Sequence, residues 1–220
     1  MQDKPIDVTG IGNAIVDVIS RTDDVFLTDN EIEKGAMNLV SAERSSQIYD
    51  RMGPGLEMSG GSAANTIVGV SGFGGAGAFI GKVRDDPFGK VFRHDITAAG
   101  VKFDSRNSTS GPPTASCLVL VTPDAQRSMN THLGACVDLG PEDVDEALVK
   151  SSKVIYLEGY LWDPPRAKDA FLKAAAIAHA SSGLVSLSLS DPFCVERHRD
   201  EFRELVERHV DILFANEDEI

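Results

Sequence analysis

The stretch after Gly140 restricts the possible folds more than any other part of the chain. Helical and strand-like segments alternate there without a break. "PEDVDEALVK" reads as helix, "KVIYLEG" as strand and "PPRAKDAFLKAAAIAHASSG" as helix. "LVSLSLS" reads as strand, "VERHRDEFRELVERH" as helix and "VDILFAN" as strand. Apolar strands separated by helices belong in a parallel sheet that is covered on both faces. The predicted class is therefore α/β, with a doubly wound, mostly parallel sheet. In such sheets ligands sit beyond the carboxyl ends of the strands. Three polar clusters fall at such ends: "EGYLWDPP", "SDPF" and "NEDEI".

The first part of the chain supplies additional strands. "PIDVTGIG", "AIVDVIS" and "AMNLV" are β-like, and "SAERSSQIYDRM" reads as a helix with Ser41 as its N-cap. "GAGAFIGKV" is a small-residue strand. "DDPFGKVFRHDITAAG" has the punctuation of a helix: Asp86 before Pro87, apolar Phe88, Val91, Phe92 and Ile96, and a closing Gly100. "TASCLVLVTP" and "RSMNTHL" flank the turn-forming "PDAQ" and predict a hairpin. Together the extra strands predict a small antiparallel sheet over one end of the main one. No internal repeat, low-complexity tract or linker divides the chain.

Charge and composition remove several function classes. The net charge is 21 − 34 = −13, and so acidic a surface repels nucleic acid and anionic lipid. No apolar run approaches the roughly 20 residues that span a bilayer. "MQDKPIDVTG" has neither the basic nor the apolar region of a secretory signal. A cytoplasmic protein with no membrane and no nucleic-acid partner is expected. Cys117, Cys136 and Cys194 are isolated and odd in number, which suggests buried, reduced thiols rather than disulfides or a zinc site. The five histidines show no metal-ligand spacing and read as surface or cap residues.

Three glycine motifs come close to known devices and miss. "GIGNAI" resembles the dinucleotide fingerprint, but Ile15 replaces the third glycine and a strand follows where a helix is needed. "AGAFIGKV" lacks the first glycine of a phosphate loop and has Val83 in place of Ser or Thr. "GGSAA" imitates a nucleophile elbow around Ser62, but "MGPGLEM" is a poor strand to precede one.

"MSGGSAANTIVGV" remains. Six of its first seven residues are small, and Asn65 follows. The plain structural reading of Gly60 and Gly61 is a tight turn with close helix packing. The same bare backbone would let a ligand approach, with Asn65 offering a donor and an acceptor. That suits a sugar hydroxyl better than a phosphate. Asp17 lies in an apolar strand-like run. It reads either as an outward-facing residue of an edge strand or as a carboxylate that accepts from two adjacent hydroxyls, a charge-assisted clamp for a diol.

"GIGNAIVDV", "MSGGSAANTI", "FIGKVRDDPFGKVFRHDITAAGV", "SDPF" and "NEDE" come in the order found in PfkB-type carbohydrate kinases, the ribokinase fold. The chain most resembles the adenosine kinase-like branch, over essentially its whole length. The resemblance implies a ribokinase-like sheet with a small β lid from segments at about 13–40 and 107–133. It implies ATP-dependent phosphorylation of a primary alcohol of a nucleoside, adenosine-like, or of a sugar, by a monomer or homodimer. Asp17, Gly60, Gly61 and Asn65 would hold the acceptor, with Asn13 close by. Arg127 in "QRSMN" would stabilise the transferred phosphate, and Asn216 and Glu219 in "NEDE" would organise Mg²⁺ largely through waters.

The family's G-A-G-D motif, with its anion hole and general-base aspartate, follows N-x-x-E and is not found by Ile220. The resemblance therefore implies an incomplete kinase domain, without its C-terminal third and most of its adenine pocket. Asp191 in Ser-Asp-Pro reads as a cap or turn residue rather than a substitute base. Such a chain would leave an uncovered apolar edge at "VDILFAN" and be marginally folded or prone to aggregate. A non-catalytic nucleoside- or sugar-binding module is the alternative if these residues are the whole protein. An NAD-dependent enzyme rests on "GIGNAI" alone.

Overall fold

The computed structural model describes residues 4–220. In chain order the elements are β1 (Ile6–Ile11), β2 (Ile15–Arg21), α1 (Asp24–Asp29), β3 (Met37–Leu39), α2 (Ala42–Arg51), β4 (Leu56–Gly60), α3 (Ser62–Gly72), β5 (Gly77–Ile80) and α4 (Pro87–Ala98). They continue with β6 (Ala115–Val121), β7 (Arg127–His132), α5 (Glu146–Lys150), β8 (Ser152–Glu158), α6 (Pro165–Ala180), β9 (Leu184–Ser188), α7 (Pro192–His209) and β10 (Ile212–Phe214).

The strands form two five-stranded sheets. The first, ordered β10-β9-β8-β1-β5, is parallel throughout, as the helix–strand alternation predicts. The chain winds from β1 to β5 on one side and through β8, β9 and β10 on the other. Its direction therefore reverses between β1 and β8.

The second sheet, ordered β3-β7-β6-β2-β4, differs from the small antiparallel one expected. It has as many strands as the first, and it is mixed: β2 pairs with β6 and β3 with β7 in parallel. Segments 13–40 and 107–133 contain β2, β3, β6 and β7, while β4 lies outside both.

Two cores follow from this arrangement. Ile155, Leu157, Val185 and Leu187 of the first sheet pack against Phe171 of α6 and Phe202 of α7. Ala167, Ala170, Ala174 and Ala178 recur at helical spacing and bring α6 close to the sheet. The second core joins the two sheets. Ile67 of α3, Phe79 of β5, and Phe92 and Ile96 of α4 meet Val16, Val18, Leu118 and Leu120 of the second sheet. Asp86 caps α4 by accepting the Gly89 N–H at 2.8 Å, and Pro87 opens the helix, as the sequence predicts.

Three local expectations need correction. "PEDVDEALVK" is not one helix but a short 3₁₀ turn, Pro141–Asp143, followed by α5. The helix α1, capped by Asp23, has no counterpart among the predicted elements. "MGPGLEM", which reads as a poor strand, contains the start of β4. Its Gly, Pro and Glu argue against a central strand, but β4 is an edge strand and pairs with β2 alone. The three cysteines are free and buried, and burial pushes the Cys117 thiol up to about 11.

Candidate functional site

The carboxyl ends of the parallel strands bring together residues far apart in sequence. Asn13 follows β1, Glu158 ends β8, Asp191 follows β9 and Asn216 follows β10. β1 and β8 are neighbours across the reversal in strand order, where open α/β sheets place their ligands.

Glu158 is the centre of this arrangement, and it is essentially fully buried. Its Oε2 accepts the Asn13 backbone N–H at 2.6 Å and the Asn13 side-chain Nδ2 at 2.9 Å. Its Oε1 accepts the Ala63 N–H at 3.0 Å and the Ser62 hydroxyl. One carboxylate thus ties the β1–β2 connection to the first turn of α3, where the helix N-terminus favours negative charge. The sequence marks only a polar cluster at this strand end and does not single out Glu158.

The same contacts explain the glycines of "GIGN". A β-carbon on Gly12 would come within 2.7 Å of both Ala63 Cβ and Glu158 Oε2. This glycine admits α3 and its clasp rather than a pyrophosphate, and a strand follows it, as expected.

Ser62 directly follows the turn that β4 leads into, so the strand that a nucleophile elbow requires is present after all. Its hydroxyl, however, is committed to Glu158, and among the described residues no imidazole contacts it. Ser62 is therefore excluded as a nucleophile by its bonding, not by the lack of a preceding strand.

Asp17 lies in the middle of β2, with β6 on one side and β4 on the other. It is therefore not on an edge strand. It shares a face with Met58, Cys117 and Thr131, its partners across the sheet. Burial pushes its carboxyl up to about 6, and among the described residues it accepts no hydrogen bond. A partly buried carboxylate without a donor is costly to maintain and marks a place where a ligand could supply one.

Gly60 and Gly61 act through this carboxylate and through Asn13. A β-carbon on Gly60 would lie 2.3 Å from Asp17 Oδ2. Gly61 has φ +98°, and its β-carbon would lie 2.3 Å from the Asn13 carbonyl oxygen. The bare backbone thus first makes room for the protein's own groups. Gly61→Ala is expected to destabilise the fold by about 3 kcal/mol, because a left-handed backbone and a fixed carbonyl both oppose it. Gly60→Ala should cost much less, since the Asp17 side chain can swing aside. Equal losses of stability in urea would contradict this account.

Asn65 lies on the first turns of α3, exposed, with no described partner for its carboxamide. Arg127 is not brought to Asp17. Arg127 pairs with Val121 and, through it, aligns with Arg21, whereas Asp17 aligns with Thr131. Four residues of strand, about 13 Å, separate the two rows.

Asn216 and Glu219 bond each other. Asn216 Nδ2 donates to Glu219 Oε1 at 2.8 Å, and Asn216 Oδ1 accepts the Asp218 N–H at 2.9 Å and the Glu219 N–H at 3.1 Å. Among the described residues no group of three His, Cys, Asp or Glu could hold a metal ion directly. Asp191 caps α7 by accepting the Cys194 N–H at 2.6 Å, the plain role its Ser-Asp-Pro setting predicts.

This geometry has close counterparts. The adenosine kinase of Sinorhizobium meliloti matches with a TM-score of 0.88 and 57% identity, over 98% of this chain and 66% of that one. A probable sugar kinase of Rhizobium etli CFN 42 matches with a TM-score of 0.89 and 54% identity, over the same shares. Adenosine kinase 2 of Arabidopsis thaliana is 30% identical across 96% of this chain and 62% of its own length. The chain thus spans less than two thirds of each of these relatives. No described helix is long and apolar enough to cross a membrane. The fold is ribokinase-like, and residues 54–220 match the pfkB family carbohydrate kinase, so that the two-sheet architecture, the ordered motifs and the family profile agree: the chain belongs to the pfkB family of carbohydrate kinases.

Proposed function

We propose that the protein carrying this chain is an ATP-dependent phosphotransferase that phosphorylates a primary alcohol of a nucleoside, adenosine-like in shape. The observation that carries this reading is Asp17, a partly buried carboxylate without a donor among the described residues, set beside apolar rows of the sheet face. Ile19, Val119 and Met129 share that face by strand register, and Met58 and Met37 extend it with 37% and 48% exposure. A ribose diol would supply two donors to Asp17, and a flat base would cover the apolar rows beside it. A free sugar would satisfy the carboxylate and leave the apolar rows bare. The identity to an adenosine kinase supports the same choice.

In this reading Asn13 and Glu158 hold the floor of the acceptor site, Asn65 hydrogen-bonds the acceptor, and the second sheet covers it as a lid. Covering excludes water, which limits wasteful ATP hydrolysis. Arg127 stands on the same sheet as Asp17, about 13 Å along it, so it would meet the transferred phosphate only where the bound acceptor spans that distance. The pair Asn216 and Glu219 suits Mg²⁺ that keeps its waters, because their oxygens already accept neighbouring N–H groups and, among the described residues, no third ligand stands by. ATP-bound Mg²⁺ would neutralise charge on the transferred phosphoryl group.

The test is transfer of label from γ-labelled ATP by the full-length protein, offered adenosine, ribose and fructose separately. Label in adenosine is expected. Asn65→Ala should lower kcat/KM by about 10–100-fold, the worth of one or two hydrogen bonds to the acceptor, with the melting temperature unchanged. Label in a sugar but not in adenosine would overturn the nucleoside assignment. Nucleoside binding without transfer would overturn the kinase reading.

A further inference from the structure

Behind the second sheet, α2, the start of α4 and strands β6 and β7 enclose a cleft of about 500 Å³. That is within the range of small-molecule sites. It is separate from the acceptor face. Asp17 aligns with Cys117 and Thr131, whereas the cleft is lined by Ser116 and His132, the adjacent positions, whose side chains lie on the opposite face.

The lining is chemically specific. Tyr49 and Phe88 meet edge to face with ring centroids 5.8 Å apart and form an aromatic wall. The hydroxyls of Ser45 and Ser116 lie 3.2 Å apart. Asp86 accepts the Gly89 N–H and the Thr114 hydroxyl on Oδ1, and only the Thr114 N–H on Oδ2. His132 supplies the remaining group. Its Nδ1 lies 3.3 Å from the Val40 carbonyl oxygen, which can only accept, so Nδ1 carries the proton. In that tautomer Nε2 is an acceptor, and among the described residues it is buried without a partner. Buried polar atoms are seldom left so, and each such case needs an explanation.

We infer that this cleft is a second small-molecule site, which takes a neutral, planar heterocycle bearing N–H donors. The aromatic wall favours a flat ring. His132 Nε2 and Asp86 Oδ2 each keep an unused acceptor position. Asp86 also disfavours an anion, as does the net charge of −13. A ligand there braces α2 against β6 and β7, whose other face carries Cys117 and Thr131 beside Asp17.

Adenine is a suitable probe, followed at the side chain of His132 by NMR of ¹⁵N-histidine-labelled protein. The His132 signal is identified by its loss in His132→Gln. Adenine is expected to move the His132 Nε2 resonance saturably. Ser46→Trp, at an exposed position on the cleft wall, should abolish that shift while the melting temperature stays unchanged. If Trp lowers the melting temperature, Ser46→Leu repeats the block with a smaller side chain. No movement of the resonance up to the solubility of adenine would overturn the inference. So would a shift that survives a folded Ser46 variant, or a fixed water found bridging His132 Nε2 and the neighbouring buried Asn130 Nδ2 in the presence of adenine.

Discussion

Asp17→Asn is expected to stabilise the fold and disable the proposed acceptor site in one step. Burial raises the Asp17 carboxyl from 3.8 to about 6, and no described donor offsets that burial. Between pH 3.8 and about 6 the unfolded chain loses this proton while the folded chain keeps it. The folded state then binds more protons, so this residue's contribution to stability falls as pH rises through that window and is level above it. At pH 8 the wild-type protein bears the full penalty of a partly buried, unpartnered charge. Two pH units correspond to about 3 kcal/mol, and partial solvent access lowers the gain on neutralisation to about 2 kcal/mol. Asp17→Asn should therefore melt roughly 4–8 °C higher at pH 8 and show no advantage at pH 3.5. The same change should lower kcat/KM for the acceptor by about 10³-fold, because an amide offers one acceptor oxygen and no charge to a diol. Acceptor affinity of the wild-type protein should rise with pH through about 6, as the carboxylate forms. A variant that melts lower than wild type at pH 8 would contradict the account of Asp17 as an unpartnered charge. Unchanged kcat/KM would remove it from the acceptor site.

Asp17 and Glu158 differ in how far the sequence discloses them. Asp17 stands out locally, as a single acid in an apolar run. Its environment needs only the strand it sits on and the glycine of the neighbouring strand, and both are visible as motifs. Glu158 ends an equally apolar run, "KVIYLEG", but its meaning depends on Asn13 and Ser62, which are 145 and 96 residues away. Nothing local separates a strand-end acid that meets solvent from one that clasps a helix. The parallel sheet was legible because each helix–strand unit carries its own periodicity. The second sheet was not, because its pairings β2–β6 and β3–β7 are parallel and span long connections, and because β4 has no buried face of its own to mark it. The row offset of Arg127 is of the same kind, since register belongs to the pairing and not to either strand.

Glu158→Ala is expected to be the most destabilising single change at the site. The carboxylate accepts four hydrogen bonds from three residues of two separate segments. Alanine leaves the backbone N–H groups of Asn13 and Ala63 buried and unpaired, and it opens a void beside Gly12. Unpaired buried donors and the void together amount to about 3–5 kcal/mol, a large part of the stability of an ordinary domain. Glu158→Gln separates the two causes. Glutamine fills the same space but presents an NH₂ to one pair of donors. On the Asn13 side the backbone N–H cannot turn away, so the amide should direct its oxygen there. The NH₂ then meets Ser62, whose hydroxyl can rotate to accept, and the Ala63 N–H, which cannot. One unpaired donor remains, at about 1–3 kcal/mol. Urea denaturation should therefore rank wild type above Gln and Gln above Ala, and hydrogen exchange at Ala63 should quicken in both variants. The proposed phosphotransfer should respond in the same order, because the clasp fixes α3, and with it Asn65, relative to the strand that carries Asp17. A Gln variant as unstable as Ala would mean that charge, not hydrogen-bond count, holds the clasp. An Ala variant with wild-type stability would show that α3 is seated by the packing of its Ile67 against Phe79 without Glu158.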